Sequence, residues 1–287
     1  MRTALLADIH GNLHALRAVM DDVRTAGVDR YMFLGDYCFS LPFPDECAEI
    51  VRSTPRSAAV RGNGEDRLER LSAQDRRTWT DAQMSAAYWT VRTMSRETLG
   101  IIASLPDTEI LTGGGPPVLA SHTLRRLIGS GEESLPDGSF RFPADAPEDA
   151  AYVFGHTHRQ RHTRIGGRVL VNPGSVGNPT DGNPNAAYTV LEHRDGSWRV
   201  EEHRVAYDMD AAASAIRAST QYECAPVWCS LILRELRTGR SHAEPFLAWA
   251  ERYARRIGDP VRPFSQETWE AAYRTWTEAG MDGSGDP

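Results

Sequence analysis

Over the first two hundred positions, apolar residues fall in short blocks, and most blocks end in a polar cluster. Thr3 to Ala7 runs into Asp8-Ile9-His10 and reads as a buried strand. Leu13, Leu16, Val19, Met20 and Val23 then recur at helical spacing, with Gly27 as a stop. Tyr31 to Leu34 predicts a second strand ending in Gly35-Asp36, and Glu46 to Val51 a helix. Ala58 to Val60 predicts a third strand, ending in Arg61-Gly62-Asn63-Gly64. This alternation of strand and helix predicts an α/β fold whose sheet begins largely parallel.

Residues 65 to 104 read as helical and polar, with Trp79, Trp89 and Met94 among the buried positions. Val118 to Ala120 predicts a strand ending in Ser121-His122. A connection rich in Gly, Pro and acidic residues follows at roughly 129 to 149, and such long connections are often functional. Tyr152 to Phe154 predicts a strand ending in Gly155-His156-Thr157-His158, and Arg168 to Val171 leads into Asn172-Pro173-Gly174-Ser175. Ala187 to Leu191 and Trp198 to His203 predict a closing antiparallel pair around the turn Asp195-Gly196.

From about residue 210 the pattern changes. Asp210 to Ala218 predicts an Ala-rich helix, and no strong strand signal follows. Trp228, Leu231, Leu233 and Leu236 are scattered apolar anchors. Phe246, Leu247, Trp249, Ala250 and Tyr253 predict an amphipathic helix, and Trp269, Tyr273 and Trp276 another. These aromatic stripes read as core or as a subunit interface, which admits a homo-oligomer formed through the C-terminal helices. The expected divisions are a main domain over 1–208, a helical appendage over 209–280 and a disordered tail over 281–287.

Composition narrows the function. A net charge of -7 argues against a general nucleic-acid binder, which needs a strongly basic face, and leaves room for a basic rim around one pocket. No apolar run approaches the roughly 18 residues of a membrane span, and the N-terminus turns polar too early for a signal peptide, so a cytoplasmic protein with no membrane partner is expected. All 32 basic residues are arginine, which excludes lysine nucleophiles and leaves any phosphate clamp to guanidinium groups. Cys38, Cys47, Cys224 and Cys229 have no CxxC spacing, which argues against a thiolate zinc site.

The polar clusters share one chemistry. In open α/β sheets, ligands bind beyond the carboxyl ends of strands, so five strand ends can converge on one centre. Imidazole, carboxylate and amide oxygen suit Mn, Fe or Zn ions. In extended backbone, residues i and i+2 point to the same side, so DxH and HxH pairs can reach one ion. Glycine at 35, 62 and 155 permits close backbone approach. Any one of these histidines alone reads as structural, whereas four in this pattern do not.

The ordered set DIH, GDY, GNGE, SH and GHTH resembles the calcineurin-like metallophosphoesterase superfamily over about residues 1 to 205. The DIHGNL start and the NPGS segment resemble its small bacterial phosphodiesterase-like branch. The resemblance implies a four-layer αββα sandwich of two mixed β-sheets, here with a helical C-terminal appendage. It implies two divalent transition-metal ions, with Mn or Fe favoured over Zn, roughly 3.5–4 Å apart. Asp8, His10 and His158 correspond to ligands of the first ion, Asn63, His122 and His156 to ligands of the second, and Asp36 to the bridging carboxylate. The implied activity is hydrolysis of a small phosphate ester, a phosphodiester or small-molecule phosphate, by in-line attack of a bridging hydroxide. The alternatives are a catalytically silent scaffold, like the retromer scaffold subunit of this fold, and a phosphoprotein phosphatase.

Two departures stand out. Many relatives carry a histidine after GN that protonates the leaving group, and Gly64 stands there, followed by Glu65. That proton would then come from a metal-bound water, His14 or Glu65, or would not be needed. The stretch Cys38 to Pro42 replaces glycines common in the branch and is expected to shape substrate choice. Arg159 and Arg161, after the HxH motif, and Arg125 and Arg126, after His122, can each clamp a phosphate or lie on a solvated face. Asn63 and Arg159 are the candidates for contact with the substrate.

Overall fold

The computed structural model describes residues 1–128, 142 and 146–281. Most of the long connection expected at 129–149, and all of the expected tail but Met281, lie outside the described residues. In chain order the elements begin β1 (Arg2–Leu6), α1 (Leu13–Thr25), β2 (Arg30–Phe33), α2 (Pro44–Ser53), β3 (Ser57–Ala59) and α3 (Asn63–Ser72). Next come α4 (Ser85–Thr93), α5 (Arg96–Ser104), β4 (Thr108–Leu111), β5 (Val118–Ser121), α6 (Leu124–Ile128) and β6 (Ala151–Val153). Then follow β7 (Gln160–Ile165), β8 (Arg168–Pro173), β9 (Ala186–Arg194) and β10 (Ser197–Val205). Five helices close the described chain: α7 (Met209–Ala218), α8 (Thr220–Cys224), α9 (Pro226–Thr238), α10 (Ala243–Ile257) and α11 (Gln266–Glu278).

The strands form two mixed five-stranded sheets, β10-β9-β1-β2-β3 and β4-β5-β6-β8-β7. Strands β1, β2 and β3 run parallel, as do β5, β6 and β8. Strict alternation sorts their side chains between layers. Leu5, Met32, Val118, Ala120, Val153 and Val171 meet in the core between the sheets. Ala4, Leu6 and Phe33 face the other way, into a core shared with α1 to α5. Leu119, Tyr152 and Leu170 pack against α6. The result is the expected four-layer αββα sandwich with C-terminal helices.

Helix α1 starts where Asn12 caps it, its side chain accepting from Ala15 N at 3.1 Å. Its buried face is the expected one, with Leu13, Leu16, Val19, Met20 and Val23 inside. Trp79, Trp89 and Met94 are buried as expected. The pattern missed β4 and β7, which lie at sheet edges, half in solvent, so neither carries an apolar run. The scattered anchors after residue 225 form one helix, α9, whose Cys229, Ile232, Leu233 and Leu236 pack with Leu41 and the α7 residues Ala213 and Ile216. The aromatic stripes of α10 and α11 form a satellite core around Phe246, Trp269 and Trp276, joined by Val227 and Leu231 of α9. No helix among the described residues is long and apolar enough to cross a membrane.

Candidate metal centre

Asp8, His10, Asp36, Asn63, His122, His156 and His158 all lie in loops or a helix start just beyond β1, β2, β3, β5 and β6. Asp8 and His122 are fully buried, with Asp36 and His10 nearly so. The reason these residues converge differs from the expectation of extended backbone. Asp8, His10, Asp36, His156 and His158 are left-handed, with φ of 55°, 54°, 56°, 72° and 57°. Non-glycine residues hold such angles at a cost of roughly 1–3 kcal/mol each, and only where surrounding structure over-determines them. Here the first two loops are stitched together: Asp8 N donates to Gly35 O at 3.0 Å, His10 N to Asp36 O at 2.9 Å and Gly11 N to Tyr37 O at 2.7 Å. The glycines matter chiefly through close approach. A Cβ on Gly62 would sit 2.1 Å from Asp36 Oδ1, and one on Gly155 would sit 2.7 Å from Asp8 Oδ2.

Backbone carbonyls fix three of the rings. Nδ1 of His10, His122 and His158 lies 2.7, 2.6 and 2.7 Å from the carbonyls of Phe39, Leu34 and Asn178. A carbonyl only accepts, so each Nδ1 is the protonated nitrogen and each Nε2 points its lone pair inward. His10 Nε2 and His158 Nε2 then face each other at 2.9 Å, and His122 Nε2 faces Asn63 Oδ1 at 2.9 Å. Asp8 Oδ1 lies 3.4 Å from His158 Nε2 and 3.9 Å from His10 Nε2. Asp36 Oδ2 lies 3.8 Å from His10 Nε2 and 3.6 Å from His122 Nε2, between the two histidine groups. The imidazole and carboxylate acceptors that face one another at these distances require a shared cation, either a proton or a metal ion. Two groups of potential ligand atoms result, Asp8-His10-His158 and Asp8-Asp36-His122. Asn63 joins through His122, and the His156 ring stands 5.2 Å from that of His122.

The titration directions agree with that demand. Burial opposes the charge on Asp8, but His158, His122 and His10 pull its carboxyl down to about 2. Burial likewise opposes the charge on His158, yet Asp8 lifts its imidazole to about 9. The donor set of imidazole, carboxylate and amide oxygen therefore fits divalent ions, which displace such protons on binding.

Glu65 is a brace. Its fully buried carboxylate accepts from the backbone N–H of Asp36, Tyr37 and Gly62, each at 2.8 Å, which ties the second and third loops together. Burial and the neighbouring Asp36 carboxylate push its pKa up to about 7, against the pull of those three donors. Asp36 Oδ1 in turn accepts from Gly64 N at 2.6 Å. His14 packs edge-on against Phe43 and is not among the residues lining the cavity above the ligand candidates.

That cavity measures about 580 Å³. Its lining includes Phe39 and Ser40 from the loop after Asp36, Arg159 at the exposed rim, and Arg67. The far wall comes from the appendage, as Trp228, Ile232, Glu235 and Leu247. Arg67 and the appendage residues were not among the site residues expected from the sequence. Arg67 lies one helical turn beyond Asn63 in α3, a spacing that could have drawn attention to it. Its guanidinium lies 5.5 Å over the Phe39 ring, and the Phe39 and Trp228 rings are 5.4 Å apart. Arg126 turns away to Asp66 and Asp107, while Arg125 and Arg161 are exposed.

A family model described as the calcineurin-like phosphoesterase superfamily domain matches residues 1–196. An uncharacterised protein of Methanocaldococcus jannaschii is 28% identical over 229 residues, covering 74% of this chain and 90% of the relative. A crystal structure of a metallophosphoesterase from Sphaerobacter thermophilus superposes with a TM-score of 0.64 at 28% identity, over 83% of this chain and 99% of that one. A hypothetical protein of Pyrococcus horikoshii shares the fold, with a TM-score of 0.63 at 16% identity, over 84% of this chain and 99% of that one.

Proposed function

The chain belongs to the calcineurin-like phosphoesterase superfamily, and on that premise we propose that it is an active hydrolase of a small phosphate ester, dependent on two divalent transition-metal ions. The observation that carries this reading is the convergence of inward lone pairs from His10, His122, His158 and Asn63 around the Asp8 and Asp36 carboxylates. A scaffold that had lost catalysis would have no need to hold so many acceptors against one another in a strained backbone.

We assign Asp8, His10 and His158 to one ion, Asn63, His122 and His156 to the other, and Asp36 to both. Bound there, the ions would lower the pKa of a shared water and neutralise the phosphoryl oxygens. Arg67 and Arg159 are placed to hold the remaining phosphate oxygens, and Phe39, Trp228 and Leu247 to exclude water beside the organic group. The walling of the cavity by α9 and α10 supports a small substrate over a phosphoprotein. No imidazole stands at Gly64, so substrates with good leaving groups should turn over fastest. Mn or Fe is the favoured metal, and a cytoplasmic location is part of the same reading.

The test loads purified protein with Mn, Fe or Zn and measures phosphate release from monoesters, diesters and cyclic nucleotides. Wild type should hold about two ions and hydrolyse members of one class. Asp36→Asn should lose both metal and activity. Full metal occupancy in that variant, or no turnover of any ester with any of these metals, would overturn the proposal.

A further inference from the structure

The appendage reaches the ligand set through one buried pair. Asn178 and Glu235 are 5% and 3% exposed. Asn178 Nδ2 donates to Glu235 Oε2 at 2.6 Å. The other carboxylate oxygen accepts from His242 N at 2.7 Å and Ala243 N at 2.8 Å, which caps the start of α10. The backbone of Asn178 does the rest. Its carbonyl is the acceptor that orients His158 through Nδ1. Its N–H donates to Ser175 Oγ at 2.8 Å, and that hydroxyl donates to the Asp8 carbonyl at 2.7 Å. One residue thus touches the supports of two ligand candidates, and among the described residues its side chain is anchored from α9.

The direction of the Asn178 amide is set by Glu235, because Asn178 Oδ1 is buried without a partner among the described residues. A reversed amide would turn an oxygen toward a carboxylate. The loop beyond Asn178 is stitched to the end of α9 as well: Gly182 N donates to Gly239 O at 2.7 Å, and Asp181 bridges to Arg240.

We propose that Glu235 is a positioning residue for the metal centre, acting through Asn178 to aim His158, so that the C-terminal helices complete a metal site whose ligands all lie before residue 160. This rests on His158 being a ligand, as proposed above. Partners that orient a metal-bound histidine typically account for 10–100-fold in metal affinity.

The test measures cobalt(II) and manganese(II) binding to the full chain, with the cobalt visible spectrum as a second readout and circular dichroism as the check of fold. Asn178→Ala cuts the link while leaving the α10 cap in place. It should weaken binding of one of the two ions by about 10–100-fold and change the cobalt spectrum. Glu235→Ala should do the same, and the double variant should be no worse than the weaker single. The exchanged pair, Asn178→Asp with Glu235→Gln, reverses the hydrogen bond and should restore affinity that Asn178→Asp alone removes. Unchanged affinity and spectrum in folded Asn178→Ala would overturn the inference, and so would an exchanged pair no better than Asn178→Asp alone. If either alanine variant fails to fold, the exchanged pair against Asn178→Asp decides. A wild type that binds neither ion would sink the proposed function instead, which keeps the two failures apart.

Discussion

Glu65 separates two roles that a carboxylate beside a metal centre can play. As a leaving-group acid it would affect rates in proportion to leaving-group basicity. As a brace it would affect stability and metal retention, and leave that dependence alone. The structure gives it three backbone donors at 2.8 Å and no place in the lining of the cavity. Glu65→Gln keeps the shape but replaces one accepting oxygen by an NH₂ group that faces a donor. Above pH 8, where Glu65 with its pKa of about 7 is ionised, a hydrogen bond to a charged group is worth about 1.5–3 kcal/mol, and at least one is lost. The expected destabilisation is therefore about 2–3 kcal/mol, or on the order of 5 °C in melting temperature for a chain of this size. Glu65→Leu strands all three N–H groups, at about 1–3 kcal/mol each, a total comparable to the whole stability of a typical domain. The assay compares wild type and Glu65→Gln in urea unfolding and on aryl phosphates of graded leaving-group pKa, with metal content fixed. Equal slopes with lower stability fit the brace. A steeper slope in Glu65→Gln at unchanged stability would refute the reasoning and make Glu65 the acid.

Other substitutions probe the same neighbourhood. Gly64→His should not restore an acid, because its Cβ would lie 2.9 Å from Asp36 Oδ1 and 3.3 Å from Asp36 Cγ; metal analysis should show weakened retention, and two-ion occupancy with a flattened leaving-group dependence would contradict this. Arg67→Ala should raise KM about tenfold, equivalent to about 1.4 kcal/mol, with a smaller effect on kcat; a KM unchanged across all phosphate esters tested would remove Arg67 from substrate binding. Burial pushes the thiols of Cys38 and Cys47 up and that of Cys229 up to about 12, whereas Cys224 is exposed. Iodoacetamide at pH 8 should thus label only Cys224 in the folded protein, as mass spectrometry of its peptides can show, because thiolate is the reactive form; labelling of Cys38 ahead of Cys224 would show that the loop after Asp36 opens.

Much of this protein was legible without coordinates because its chemistry is written locally. Each ligand candidate directly follows a short apolar block, and a buried parallel strand needs little beyond such a block and a glycine to be recognised. Residue type and order were therefore enough to assemble Asp8, His10, Asp36, Asn63, His122, His156 and His158 into one set and to predict an α/β fold, while the two-sheet sandwich followed from the family resemblance that those motifs carry. What the chain pattern could not carry was conformation set by distant partners. The left-handed backbone at Asp8, His10, Asp36, His156 and His158 exists because neighbouring loops hold it, and local preference alone would have made those segments extended. The inward tautomers depend on carbonyls of Phe39, Leu34 and Asn178 that lie beyond any local window. Glu65 reads as a candidate acid beside Asn63 until folding buries it under three donors. Edge strands β4 and β7 escaped because half of each faces water. The largest gap was the appendage: Trp228 and Glu235 look like any helix residues, and only the docking of α9 and α10 against the loops around Phe39 and Asn178 brings them to the cavity. Side-chain identity and short-range spacing chose a donor set suited to metal ions, whereas long-range packing decided which way each candidate ligand points and what walls the space above it.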